Sequence, residues 1–137
     1  MSFVRPITTI PLYGTVCRRV LVGLSVLGAR GETAHWFRFD TGCDITTLSE
    51  DVATALGLPL GGASVTIRGS TGTSAGRLID VRFRFPPDDL SGNPEPLLAA
   101  RWAVVNGRTD LALLSLHDVH EHFALWTDDT HLYFTNR

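Results

Sequence analysis

The sequence predicts an all-β protein with one or two short helices. Three observations carry that expectation: alternation of an apolar with a largely polar face over Leu78 to Phe85, a second alternating run over Thr33 to Phe39, and turn-forming residues between the apolar segments. In the first run Ile79, Val81, Phe83 and Phe85 face one way, and Leu78, Asp80, Arg82 and Arg84 the other. Successive strand residues point to opposite faces, so this run has one apolar side.

The elements follow in chain order. Val16 to Leu27 is rich in β-branched and apolar residues, and Gly28-Ala29-Arg30-Gly31 supplies turn chemistry. Thr33 to Phe39 returns as a strand, with Ala34, Trp36 and Arg38 on one side and His35, Phe37 and Phe39 on the other. The two segments form a hairpin. Ser49 is a good N-cap, and Glu50 and Asp51 suit the positive end of a helix dipole. Val52, Ala53, Leu56 and Gly57 complete a short helix that ends before Pro59. Val65-Thr66-Ile67 reads as strand, Gly69 to Thr73 as a turn, and Pro86 to Pro96 as a loop. Leu97 to Val105 is a strand, Leu111 to Leu114 a short buried segment, and Leu116 to Phe123 a short helix. Ala124 to Thr127 and Leu132 to Thr135 flank Asp128-Asp129-Thr130 as a final hairpin. At 137 residues the chain is expected to be one domain, with a core over about residues 16–136.

Composition narrows the function. The apolar fraction is 44% and the net charge −2, which gives no electrostatic case for nucleic acid or an anionic membrane. There is no lysine, so Schiff-base chemistry on a lysine is excluded. Two cysteines, Cys17 and Cys43, are too few for a disulfide framework. Met1 to Pro6 lacks the apolar run of a signal peptide, and Val20 to Leu27 is too short to span a bilayer. A cytoplasmic protein with no membrane and no nucleic-acid partner is expected.

The segment most able to carry chemistry is Phe37-Arg38-Phe39-Asp40-Thr41-Gly42-Cys43-Asp44. A strand delivers a carboxylate into a tight turn closed by glycine, where backbone can approach a ligand closely. Alone, Asp40-Thr41-Gly42 reads first as an Asx-type turn at a strand end, the commoner use of such residues. Its surroundings add to it: apolar strand residues before it, Asp44-Ile45-Thr46-Thr47-Leu48-Ser49 and a helix after it, and a glycine-bearing hairpin at 69–73. Near the C-terminus Leu113-Leu114-Ser115-Leu116-His117-Asp118 precedes a short helix, and Phe123-Ala124-Leu125 leaves it. In the order and spacing of these features the chain resembles the retropepsin family of retroviral-type aspartic proteases and their relatives, over roughly Val20 to Phe134.

The resemblance implies a closed acid-protease barrel with a flap hairpin, and an aspartic endopeptidase acting on a peptide or protein substrate. One aspartate per chain implies a homodimer in which two Asp40 carboxylates share a proton and activate water. It implies that Thr41 braces the pair, that Gly42 and Asp44 hold the substrate main chain, and that Gly69, Ser70, Thr71, Gly72 and Thr73 close over it. It implies no metal or organic cofactor, and an interface strand over His131 to Asn136. Three positions depart from the family pattern: Ser115 stands where glycine is usual, Cys43 where alanine is common, and His117 replaces an arginine that pairs with the aspartate after the triplet. A His117–Asp44 contact is the corresponding expectation. These departures keep a rival open, a non-catalytic retropepsin-like module that binds peptide or dimerises.

Other motifs carry less. His117, Asp118, His120, Glu121 and His122 match no zinc-protease spacing and read as a polar helix face, with a zinc hydrolase ranked far below. Gly69 to Gly76 lacks the Gly-Lys-[Ser/Thr] of a phosphate loop. Trp36, Trp102, Trp126 and Phe134 are expected in the core or a dimer interface.

Overall fold

The structure, a computed structural model, describes residues 2–69, 72–86 and 95–137. The first strands are β1 (Phe3–Pro6), β2 (Thr8–Leu12), β3 (Thr15–Arg19), β4 (Leu21–Gly28), β5 (Gly31–Asp40) and β6 (Thr47–Ser49). Helix α1 (Glu50–Ala55) leads to β7 (Ala63–Gly69), β8 (Gly72–Arg84), β9 (Leu98–Val105) and β10 (Ala112–Ser115). Helix α2 (Leu116–His120), β11 (Phe123–Thr127) and β12 (His131–Asn136) complete the chain.

Six strands close into a barrel in the order β4-β5-β10-β6-β9-β8, and β8 returns to β4 through Ser25↔Arg84, Val26↔Phe83 and Leu27↔Arg82. Closure leaves the ring without an open edge. The expected all-β barrel with two short helices is therefore present. Alternate residues fill its interior: Val22, Leu24 and Val26 of β4 and Phe37 of β5 are fully buried, and Ile79, Val81 and Phe83 of β8 nearly so. Each such side chain contributes roughly 1.5–3 kcal/mol by leaving water. β7 extends from β8 as the outer strand of the flap hairpin, with Gly69 opposite Gly72. Ser70 and Thr71, and residues 87–94 of the expected loop, lie outside the described residues.

Helix α1 starts after Ser49, as expected, but the Ser49 hydroxyl makes no cap bond; it donates to the Asp51 carboxylate and accepts from Leu111 N–H at 3.0 Å. The helix ends in a Schellman pattern. Leu58 N–H reaches Ala53 C=O at 3.0 Å, and Gly57 takes the left-handed conformation with φ 72°. α2 stops at His120, short of the expected Phe123, because Phe123 is fully buried as the first residue of β11.

The N-terminal region was not legible as structure. Val16 to Leu27 is not one strand: β3 folds back on β2, while β4 joins β5. Tyr13 and Gly14 have φ of 53° and 73°, the two positive values that a two-residue type I′ hairpin turn needs. β1 adds to the edge of β12 with Phe3 opposite Phe134. The core thus reaches back to Phe3, upstream of the boundary expected near residue 16.

β12 lies between β1 and β11, so both of its backbone edges are occupied within the chain. The segment His131 to Asn136, expected as an interface strand, is β12 itself. Of the four aromatic residues expected in core or interface, Trp102 and Phe134 are fully buried, whereas Trp36 and Trp126 are exposed. Trp126 stacks on Tyr133 at 3.8 Å between ring centroids.

The β11–β12 turn is organised by Asp128. Its Oδ1 accepts the N–H groups of Thr130 and His131, each at 2.8 Å, and its Oδ2 accepts the Tyr133 hydroxyl at 2.7 Å. These bonds, the Thr130 N–H foremost, hold the Asp128 carboxyl well below its ordinary value of 3.8, and the same contact pushes the Tyr133 phenol up. A depressed carboxyl pKa stabilises the fold above the unfolded-state value and loses that effect as pH falls through the folded-state value. Asp128→Ala is therefore expected to lower the urea midpoint at neutral pH, with the gap narrowing as pH drops below 3.8.

Candidate active site

β5 carries Asp40 as its last residue, and the chain turns at once. Cys43 N–H donates to Asp40 C=O at 3.2 Å, closing the turn, and Gly42 N–H donates to Asp40 Oδ1 at 2.9 Å. The Asx-type turn is thus real, and it orients the carboxylate by one oxygen. Oδ2 takes no hydrogen bond from a described residue. Asp40 is half-buried, and Thr41, Gly42 and Asp44 are exposed beside it.

Behind the turn the chain dives inward. Cys43 Sγ donates to Ile45 C=O at 2.7 Å, and burial, the largest influence, raises its thiol above the usual value. The thiol stays neutral, so Cys43 behaves as a small packed residue. Thr46 is fully buried and joins two elements: its hydroxyl donates to Asp118 Oδ2 at 2.5 Å and accepts Ser115 N–H at 3.0 Å. Ser115 lies opposite Asp40 in the parallel β5–β10 register. Its hydroxyl accepts Asp118 N–H at 3.2 Å, so Ser115 is the N-cap of α2. The Ser115 side chain is thus turned toward the helix. Thr46→Val should cost about 2–3 kcal/mol, since a buried carboxylate loses its donor and a buried N–H its acceptor. The urea midpoint measures this; an unchanged midpoint would remove the network from the account.

Asp40 opens on a cleft of about 610 Å³. Arg38, Phe39 and Thr41 line it from β5 and the turn; Leu12, Cys17, Arg18 and Arg19 line it from the β2–β3 hairpin; Leu132 and Thr127 come from the C-terminal sheet. Asp40 is its one carboxylate among the described residues. Gly42, Asp44, Gly69, Gly72 and Thr73 are not among the lining residues. Sequence reasoning missed the hairpin wall. The available signal was Tyr13-Gly14 between the short runs Thr8 to Leu12 and Thr15 to Arg19.

The expected His117–Asp44 contact is replaced by a local one. His117 Nε2 lies 3.2 Å from Glu121 Oε1 in an exposed i,i+4 pair, since both project from the same face of α2. His120 Nε2 lies 2.5 Å from Arg137, and the His122 ring lies against Phe85. Among the described residues no three His, Cys, Asp or Glu side chains converge as a metal site requires. No helix of the described residues is long and apolar enough to cross a membrane.

No protein-family model matches the chain, and no curated protein matches its sequence. Solved structures do. A retropepsin-like aspartic protease from Rickettsia conorii is 16% identical with a TM-score of 0.62, over 98% of this chain and 93% of that one. EIAV protease, in complex with the inhibitor HBY-793, is 16% identical with a TM-score of 0.56, over 75% of this chain and 86% of that one. The closed six-stranded barrel, the two short helices and the β7–β8 hairpin agree with that likeness: the chain has a retropepsin-like fold.

Proposed function

We propose that the chain is one half of a homodimeric aspartic endopeptidase, with Asp40 of each copy in a shared dyad. The observation that carries the reading is Asp40 itself, on a retropepsin-like barrel, with Oδ1 fixed by Gly42 N–H and Oδ2 left to face a partner, water or substrate. A lone carboxylate cannot serve as base and acid at once. Two placed together share one proton, so the ionised member deprotonates water while the protonated member polarises the scissile carbonyl. Asp40 would be the catalytic residue, and Thr41 would brace the pair. Gly42 and Asp44 would bind the peptide main chain, and the hairpin bearing Gly69, Gly72 and Thr73 would close over it.

The second reading is a non-catalytic peptide-binding or dimerisation module, and one feature favours its peptide-binding form. β12 is already paired on both sides, so assembly through that strand is blocked while β1 stays in place. Cleavage of a diverse peptide mixture by wild type and Asp40→Asn, with sedimentation across a concentration range, decides between them. Asp40-dependent cuts by a dimer support the peptidase. A folded wild type that cuts nothing from mildly acidic to neutral pH leaves the module.

A further inference from the structure

The cleft beside Asp40 carries an excess of positive charge. Arg18 and Arg19 of β3 and Arg38 of β5 all line it, against the single carboxylate of Asp40. None of the three is ion-paired with a described residue, whereas Arg84 and Arg101 elsewhere on the barrel pair with Glu32 and Asp80. The chain as a whole is acidic by two charges, so this concentration of unpaired cations runs against its overall balance. Half-buried Arg19 and Arg38 are partly withdrawn from water, where an opposite charge counts for more. Guanidinium groups present planar donor forks that match carboxylates. Leu12, Val20 and Phe39 supply apolar wall between them, and the volume is that of a small-ligand cleft.

We propose that this cleft receives acidic side chains of a peptide, with Arg18, Arg19 and Arg38 as its specificity-determining residues. The inference rests on the peptidase reading for its setting and extends it to a substrate class: peptides carrying glutamate or aspartate close to the cleaved bond. A neutral or basic peptide leaves three guanidinium groups with the Asp40 carboxylate alone among the described lining residues as counter-charge when it displaces their water; an acidic one supplies more.

Two measurements test this separately from catalysis. The first is binding of a fluorescein-labelled oligopeptide with glutamates flanking a Leu-Phe pair, against its glutamine counterpart, by full-length Asp40→Asn protein. The glutamate peptide is expected to bind roughly tenfold more tightly at low salt, with the ratio falling toward one in Arg18→Gln/Arg19→Gln/Arg38→Gln and at high salt. The single substitutions should each lower the ratio in part, which keeps the test open if the triple variant fails to fold. The second is the pattern of cuts in a peptide mixture, expected to be rich in acidic residues for wild type and to lose that bias in the variants. Equal binding of the two peptides overturns the inference. So does loss of the dimer with selectivity unchanged, which would assign the arginines to contacts with a second copy. Selective binding without any cleavage would sink the peptidase reading and leave this one standing; cleavage with no acidic bias would do the reverse.

Discussion

Asp40→Asn is expected to reduce peptide cleavage by at least about 10³-fold while leaving the barrel folded, because general acid–base catalysis by a placed carboxylate is commonly worth 10²–10⁴-fold and the change disables both members of a symmetric pair. The carboxamide oxygen can still accept the Gly42 N–H that now reaches Asp40 Oδ1 at 2.9 Å, so the turn keeps its organising bond. What is lost is ionisation. A carboxamide neither takes a proton from water nor shares one with its twin. Mass spectrometry of a digested peptide mixture measures the cleavage, and a urea titration of the same sample measures the fold. Cuts at the same bonds and comparable rates in the variant would remove Asp40 from the chemistry. A collapse in stability would mean that the turn, not the reaction, had been tested.

The largest expected effect on stability is Phe3→Ala, at about 4 kcal/mol. Phe3 is 4% exposed although it belongs to a strand of only four residues. Its ring stacks on Phe134 at 4.2 Å and meets Phe123 edge-on at 5.3 Å. Phe123 in turn lies edge-on to Phe85 at 4.8 Å, which ties the C-terminal sheet to the end of β8. Truncation opens a cavity among stiff rings that cannot collapse to fill it. Val4→Ala, at a residue 41% exposed on the same strand, should shift stability by no more than about 0.5 kcal/mol. Chemical denaturation of the pair gives the contrast; similar losses for both would show that strand pairing, not the Phe3 ring, holds β1.

The barrel was legible because its strands advertise themselves locally. Ile79, Val81, Phe83 and Phe85 alternate in sequence and are buried together in the fold. Asp40 was legible for a similar reason: a strand, a carboxylate and a turn glycine stand in a row. The N-terminal strands were not. Phe3 to Pro6 is four residues long, and the partner that gives it a reason to be a strand is Phe134, at the far end of the chain. The second wall of the Asp40 cleft escaped for the same cause, since only tertiary structure brings β2 and β3 beside β5. Ser115 shows the opposite fault. Compared with a family pattern it read only as a departure, serine where glycine is usual. The local signal, serine followed three residues later by Asp118 at a helix start, describes the N-cap it forms. His117 likewise found its partner one helical turn away in Glu121.

The double pairing of β12 has a kinetic consequence. If two copies join by lending strands to each other's β12, each must first release β1, with its four residue pairs and the buried Phe3 ring. That release happens within one molecule, so the observed assembly rate would stop rising with protein concentration and would climb steeply with temperature, as unfolding steps do. Copies that meet through any other face would associate at a rate that keeps increasing with concentration. The time course of dimer appearance after dilution and reconcentration thus carries information that no equilibrium constant contains: it reports which part of the chain has to let go before two molecules can become one.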